Sequence, residues 1–208
     1  MIPTGYRDAD GLLWPADDVE CLRAARAQVA DLEQVYPYCK GFRVAVQAGG
    51  NCGVWPAALI KRFETVYTFE PDPTNFRCLC VNAPHENVYK FNAALGQFHE
   101  TIELSRKADN AGAHYVSGAG AIPTLRIDDL ALKACDLICL DIEGREYAAI
   151  MGAMGTIQTH KPVIVLEDKG LSAKYGIAKG YVRDVIVGLG YRVEGRLRRD
   201  IIFAPTGG

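Results

Sequence analysis

The chain has 208 residues, enough for one domain with a sizeable core. Hydrophobic residues make up 49% of it and charged residues 23%, an ordinary balance for a globular protein. The formal net charge of −2 gives no support to a nucleic-acid binder held by bulk electrostatics, leaving open only a local basic patch.

Residues 1–16 are punctuated by Gly, Pro and Asp and read as irregular. Residues 17–35 carry Val19, Leu22, Val29 and Leu32 on one helical stripe, with Asp17 and Asp18 as candidate caps and Pro37 as the stop. Alternation follows: strand 44–48, helix 54–63, strand 66–69, helix 73–82 and strand 88–91. That order implies a parallel sheet covered on both faces. Residues 101–104 alternate like an edge strand. The segment 106–121 (RKADNAGAHYVSGAGA) is too long for a simple connector and predicts a mobile active-site loop, followed by a short strand over 124–127. Strand 137–140, helix 146–157, strand 163–166 and helix 181–189 resume the pattern. The end, GYRVEGRLRRDIIFAP, reads as two antiparallel strands around a tight polar turn.

Seven cysteines (Cys21, Cys39, Cys52, Cys78, Cys80, Cys135 and Cys139) form an odd set with no C-x-x-C. They read as buried thiols in a reducing compartment. His85, His99, His114 and His160 are scattered without ligand spacing, so no metal is assigned. The N-terminus has acids where a signal peptide needs basic and then apolar residues, and no apolar run reaches membrane-spanning length. The expectation is a cytoplasmic protein that contacts no membrane.

Two segments carry the chemistry. RVAVQAGGNCG (43–53) is an apolar run that stops in glycines, and VYTFEPDP (66–73) is one that stops in Glu70, twenty-one residues after Gly49. A strand, a glycine turn, a helix and a second strand ending in a carboxylate is the arrangement that holds an adenosine-type cofactor. The glycines let backbone approach the ligand, and the carboxylate accepts hydrogen bonds from ribose hydroxyls. The dinucleotide fingerprint fails, because its second and third glycine positions hold Asn51 and Val54, and no G-K-[ST] is present. The turn Gly49-Gly50-Asn51-Cys52-Gly53 suits a ligand whose charged end is an amino acid. Backbone groups and the Asn51 amide can meet a carboxylate and an ammonium there. S-adenosylmethionine has such an end together with an adenosine. A tight turn alone is the plain alternative, and Glu70 at the next strand end tells against it.

VQAGGNCGVWP, FEPDPTNFRCLCVN, LRIDDL, LICLDIEGREYAAIMGA and PVIVLED resemble, in order and spacing, the motifs of FkbM-like methyltransferases over about residues 41–204. That family shows a D-x-G-A-N-x-G turn, an F-E-P-x-P segment and a K-x-D-x-E-G-x-E segment. The resemblance implies an α/β fold: a Rossmann-like, doubly wound, seven-stranded sheet with an antiparallel last strand, the class I methyltransferase fold. Residues 1–40 would be an N-terminal segment and helix forming a lid or cap of the same domain, and 41–208 the S-adenosylmethionine-dependent methyltransferase domain. This chain departs from the pattern in three places. Gln47 replaces the acid of the first motif, where a glutamine amide can hold the glycine turn but only weakly an ammonium. Gly50 replaces its alanine, a change expected to be harmless. Leu140 stands in the place of the lysine usual before D-x-E-G.

The cofactor-binding set implied by the motifs is Gln47, Gly49, Gly50, Asn51, Gly53, Glu70, Pro71, Asp72, Asn92, Ala93 and Asp141. Asn92 and Ala93 end the third strand, where adenine lies in this fold; Asn92 either bonds the ring edge or makes the turn. Pro71 and Asp72 would shape the ribose pocket, or Asp72 would cap helix 73–82. Asp141, Glu143 and Glu146 are the catalytic candidates, since ligands of open α/β sheets bind outside the carboxyl ends of the strands. Three acids within six residues can orient an acceptor hydroxyl, act as general base or hold a metal. For Glu146 the plain reading is a first-turn acid complementing the helix dipole. Glu167 and Asp168 end the next strand, with Lys169 neutralising local charge. His114, in the glycine-rich segment, is a general base or a solvated histidine. The expected activity is O-methylation of a hydroxyl on a sugar or small-molecule scaffold, with nucleic acid not expected as a partner. A cofactor-binding protein without methyl transfer and a nucleotide-cofactor oxidoreductase are the alternatives.

Overall fold

A sheet buried on both faces needs strands that are apolar throughout, and LICL and VIVLE meet that demand: every residue of both is buried. The computed structural model describes residues 2–207. In chain order its elements are β1 (Tyr6–Asp8), β2 (Leu13–Pro15), α1 (Cys21–Val29), α2 (Leu32–Val35), β3 (Val44–Ala48), α3 (Val54–Leu59) and β4 (Thr65–Phe69). Next come α4 (Pro73–Asn82), β5 (Val88–Phe91), β6 (Ala94–Leu95), β7 (Thr101–Ser105), β8 (Tyr115–Ala119) and β9 (Ile122–Leu125). The rest are β10 (Leu137–Leu140), α5 (Glu146–Met151), α6 (Met154–His160), β11 (Val163–Glu167), α7 (Tyr181–Gly188), β12 (Tyr191–Leu197) and β13 (Asp200–Pro205).

The main sheet has seven strands in the order β12-β13-β11-β10-β3-β4-β5. β11, β10, β3, β4 and β5 are mutually parallel, and β13 runs antiparallel to both β11 and β12. Successive strand residues point to opposite faces, so two cores form. Val46, Phe69, Ile138 and Leu166 pack with Ile150 of α5, Ile157 of α6 and Ile186 of α7. Ala45, Val66, Leu137 and Val165 pack on the other face with Leu32 of α2, Leu59 of α3 and Leu79 of α4. The expected doubly wound α/β sheet with its antiparallel strand is thus present. A second sheet, β6-β9-β7-β8, stands beside it. No helix among the described residues is long and apolar enough to cross a membrane.

Four local expectations change. The first sixteen residues include an antiparallel hairpin, β1 with β2. The helix expected over 17–35 starts later and is split: the Asp18 carboxylate accepts from the N–H groups of Cys21 and Leu22, and Val19 is left 73% exposed outside the helix. The helix expected over 146–157 breaks at Gly152, which is pressed so closely on the Gly96 carbonyl that a Cβ there would lie 2.1 Å from its oxygen. Asp128 then caps α6 through the N–H groups of Gly155 and Thr156. The glycine-rich segment is partly ordered as β8, paired with β7 across a register irregularity, which leaves 106–114 and the short turn 120–121 outside the strands. All seven thiols are free; five are buried, Cys39 is partly buried and Cys80 is exposed.

Candidate active site

Strand order reverses between β3 and β10, the place where open α/β sheets bind ligands. Gly49 leaves β3 there with φ of +84°, and a Cβ on it would lie 2.0 Å from the Asp141 carbonyl oxygen. Only glycine allows the two strand exits to touch. Buried Gln47 fixes the turn: its Nε2 donates to the Gly49 carbonyl at 2.8 Å, and its Oε1 accepts from Thr68 Oγ1 at 2.6 Å. Gly50 suits this turn, since a methyl there would stand 2.7 Å from Thr68 Oγ1 and 3.1 Å from Leu79 Cδ2. The motif spacing K-x-D sets its missing lysine two residues ahead of Asp141, at Cys139 rather than Leu140. Cys139 is the cross-strand partner of Gln47. The two lost charges therefore belong to one neighbouring pair, and the buried strands stay neutral without them.

Glu70 ends β4 almost fully buried. Its Oε2 accepts the Asn51 N–H at 2.7 Å and its Oε1 the Asp72 N–H at 2.8 Å. Burial raises its pKa to about 7 despite those two donors. Asp72 caps α4 through Thr74 and Asn75, and its other oxygen lies 2.6 Å from Arg106 Nε and 3.5 Å from His114 Nδ1. Burial alone would raise Asp72, but His114, the Asn75 N–H and Arg106 outweigh it and hold it low. His114 is raised in turn, Asp72 outweighing its own burial. With 13% of its side chain exposed, His114 is not a solvated loop residue. Asn92 is exposed and donates to the carbonyls of Glu70 and Pro71, which is the turn reading; buried Ala93 lines the cleft.

Loop 106–114 closes over these groups. The Ala111 carbonyl accepts from both Asn51 Nδ2 (3.1 Å) and Asn75 Nδ2 (2.8 Å), while the Ala111 N–H donates to Asp18. Asp18 also accepts from Trp14 Nε1 at 2.7 Å, so the N-terminal segment anchors the loop and Trp14 is a packing residue. Beneath lies a cleft bordered by Gly49, Glu70, Pro71, Ala93, His114 and Asp141 among others. A wider groove opens from it past Tyr115, Val116 and Arg145, between the β7–β8 hairpin and residues 174–175.

The three candidate catalytic acids separate. Asp141 is exposed into the cleft. Glu143, also at the cleft, sits in the left-handed region with φ of +54°, and the turn continues through Gly144, whose Cβ would strike Leu171 backbone at 2.7 Å. Glu146 does not line the cleft. It is buried, accepts the N–H groups of Ile142 and Gly144 at 3.2 Å, and is raised to about 7 by burial. Glu167, from the end of β11, joins Asp141 and Glu143: one carboxylate oxygen of each lies within 4.8 Å of the others. Lys169 Nζ stands 2.6 Å from Glu167 and 3.2 Å from Glu143. Sequence reasoning missed Asn75, Arg106, Ala111 and Arg145. A buried asparagine early in α4 has no periodic signal, and the other three reach the cleft only through loop and turn geometry.

The switch-point glycine turn, the carboxylate ending β4 and the antiparallel strand inside the sheet define a class I methyltransferase. Residues 48–193 match the Methyltransferase FkbM domain, and the chain belongs to that family. S-adenosylmethionine is its cofactor. The cleft fits that group, with Gly49 allowing close backbone approach and Glu70 bordering the space. The chain is similar in fold to a methyltransferase FkbM from Methylobacillus flagellatus KT, with 19% identity and a TM-score of 0.50 over 82% of this chain and 49% of the other. It thus spans about half of that protein. The N-methyltransferase NodS from Bradyrhizobium japonicum WM9 matches with 10% identity and a TM-score of 0.52, over 92% of this chain and 99% of the other. The ribosomal protein L11 methylase from Lactobacillus delbrueckii subsp. bulgaricus gives 10% and 0.51, over 87% and 78%. No curated protein matches the chain.

Proposed function

We propose that this methyltransferase acts on oxygen, methylating a hydroxyl of a sugar or small-molecule scaffold. The observation that carries this reading is Asp141, an exposed carboxylate at the switch point, bordering the cleft beside Gly49. When bound, S-adenosylmethionine supplies a methyl group on a cationic sulfur, ready for in-line displacement. The chain supplies position and a proton acceptor. Glu70 would accept the ribose hydroxyls, Gly49 and Asn51 would meet the amino-acid end, Pro71 and Ala93 would border the adenosine, and Gln47 and Gly53 keep the turn in shape. The acceptor enters by the groove past Tyr115 and Arg145, and its hydroxyl proton passes to Asp141, with Glu143 beside it. Holding two reactants in line provides most of the acceleration, and the base adds roughly a hundred-fold or more. Glu146 serves the turn rather than the proton. Residues 1–40 act as the cap, through the Asp18 and Trp14 anchors of loop 106–114. Seven free thiols agree with a reducing, cytoplasmic setting.

Calorimetry with S-adenosylhomocysteine, followed by transfer of labelled methyl to panels of glycosides, phenols and amines, tests the reading. We expect binding, and product with hydroxyl acceptors. Asp141→Asn should cut turnover while leaving cofactor affinity nearly intact. Binding with no product in any acceptor class would reduce the chain to a cofactor-binding protein, and product confined to amines would move the chemistry to nitrogen. A thermal shift with NAD and none with S-adenosylhomocysteine would point to an oxidoreductase.

A further inference from the structure

Three carboxylates gathered within 4.8 Å repel one another unless a positive charge sits among them. A divalent ion can supply that charge, and so can an ammonium. Here the Lys169 ammonium reaches Glu167 at 2.6 Å and Glu143 at 3.2 Å, with 24% of its side chain exposed. These contacts engage two of the three carboxylates that a metal would need, and a second cation beside the ammonium would be repelled by it.

We propose that Lys169 is a positioning residue for methyl transfer, its ammonium standing where a divalent ion would otherwise hold Asp141, Glu143 and Glu167, so that transfer needs no metal. This rests on the O-methyltransferase reading of the cleft. The acceptor oxygen gains the methyl as the carbon–sulfur bond breaks, and its proton goes to the Asp141 carboxylate. Lys169 exchanges nothing in that step. It keeps the neighbouring carboxyls from drawing the proton or swinging out of line. The charged groups that face this cluster are consistent with the role. Lys174 acts on Glu143 from the Leu171–Tyr175 turn, and Asp200 of β13 feels both Asp141 and Lys169. Burial opposes the charge on Lys169, but Asp141, Glu167 and Glu143 hold it protonated above the usual lysine range.

The test titrates Mn²⁺ against the full chain by the paramagnetic resonance of the free ion, in wild type, Lys169→Met and Lys169→Arg, with S-adenosylhomocysteine calorimetry alongside. Wild type and Lys169→Arg should leave Mn²⁺ free, and Lys169→Met should gain one Mn²⁺ site. Cofactor affinity should change by less than about threefold, because Glu70 and the glycine turn are untouched. With a turned-over acceptor, chelator should leave wild-type activity unchanged. Lys169→Met should lower kcat more than it raises KM and move the acid limb of the pH profile up by about one unit, since a carboxylate loses its neighbouring cation. Stoichiometric Mn²⁺ binding by wild type, or chelator-sensitive turnover, overturns the proposal and needs no variant. A folded Lys169→Met with no Mn²⁺ site and an unmoved acid limb overturns it as well. Failure of wild type to bind S-adenosylhomocysteine would count against the cofactor cleft, leaving the Mn²⁺ result to decide on Lys169.

Discussion

Replacing Glu70 with glutamine separates the cost of keeping this carboxylate buried from its use. In the folded chain it titrates near 7, against 4.5 when solvated. Below 4.5 it is protonated in both states, and above 7 it is ionised in both. Between those values the folded state binds more protons, so raising the pH weakens the fold. The 2.5-unit difference corresponds to about 3 kcal/mol across the window, of which about 2 to 3 kcal/mol falls between pH 5 and pH 8. Glutamine cannot ionise, so Glu70→Gln should remove that share of the slope. It keeps one acceptor and turns an NH2 toward the N–H of Asn51 or Asp72, which lowers stability at pH 5 by about 1–3 kcal/mol. Urea unfolding of both proteins at the two pH values measures the difference of slopes, free of the contributions of Glu146 and Asp200. S-adenosylhomocysteine affinity at pH 8 should fall by about tenfold or more, since the ribose hydroxyls lose a charged acceptor. Equal slopes would refute the buried-charge account. Unchanged affinity would refute the ribose assignment.

Gly50→Ala should destabilise by about 1–3 kcal/mol through overpacking against Thr68 and Leu79. Thr68→Ala in the same chain should recover part of it, and strictly additive melting shifts would show that the contact is not the cause. Asp18→Ala strands the Trp14 indole N–H and frees Ala111, so limited proteolysis should cut within 106–114 sooner and cofactor affinity should fall. A cleavage pattern like wild type would mean that the loop is held elsewhere. Asp128→Ala removes the cap of α6 and should cost about 0.5–2 kcal/mol in urea unfolding with cofactor affinity unmoved, whereas a large loss of affinity would tie this helix to the cleft.

The alternation of apolar strands and amphipathic helices was readable because both faces of the sheet are buried and the strands have no polar face to disguise. The hairpin β1–β2 was not, since three-residue strands leave no period to detect. Nor was β8, whose sequence YVSGA owes its conformation to its partner β7 rather than to propensity. In the site, the glycine turn and Glu70 follow from spacing along the chain. The grip of Asp72 on His114 and Arg106, and of Lys169 on two acids, joins residues brought together only by folding. Glu146 shows the opposite case: an acid with the spacing of a catalytic residue, spent on the N–H groups of its own turn.

The place of β13 bears on how the chain reaches this state. Residues 200–205 fill an interior position between β11 and β12, burying Ile201, Ile202 and Phe203. Until they dock, the ladder edge of β11 stays open, and its sequence VIVLE is strongly apolar. β13 is thus the strand that covers the apolar edge of β11 and leaves β12, rather than β11, at that side of the sheet. Lesions in 200–205 should therefore show first as aggregation during refolding, before any change at the cleft, and clean refolding of an Ile202→Ala variant at high protein concentration would contradict this.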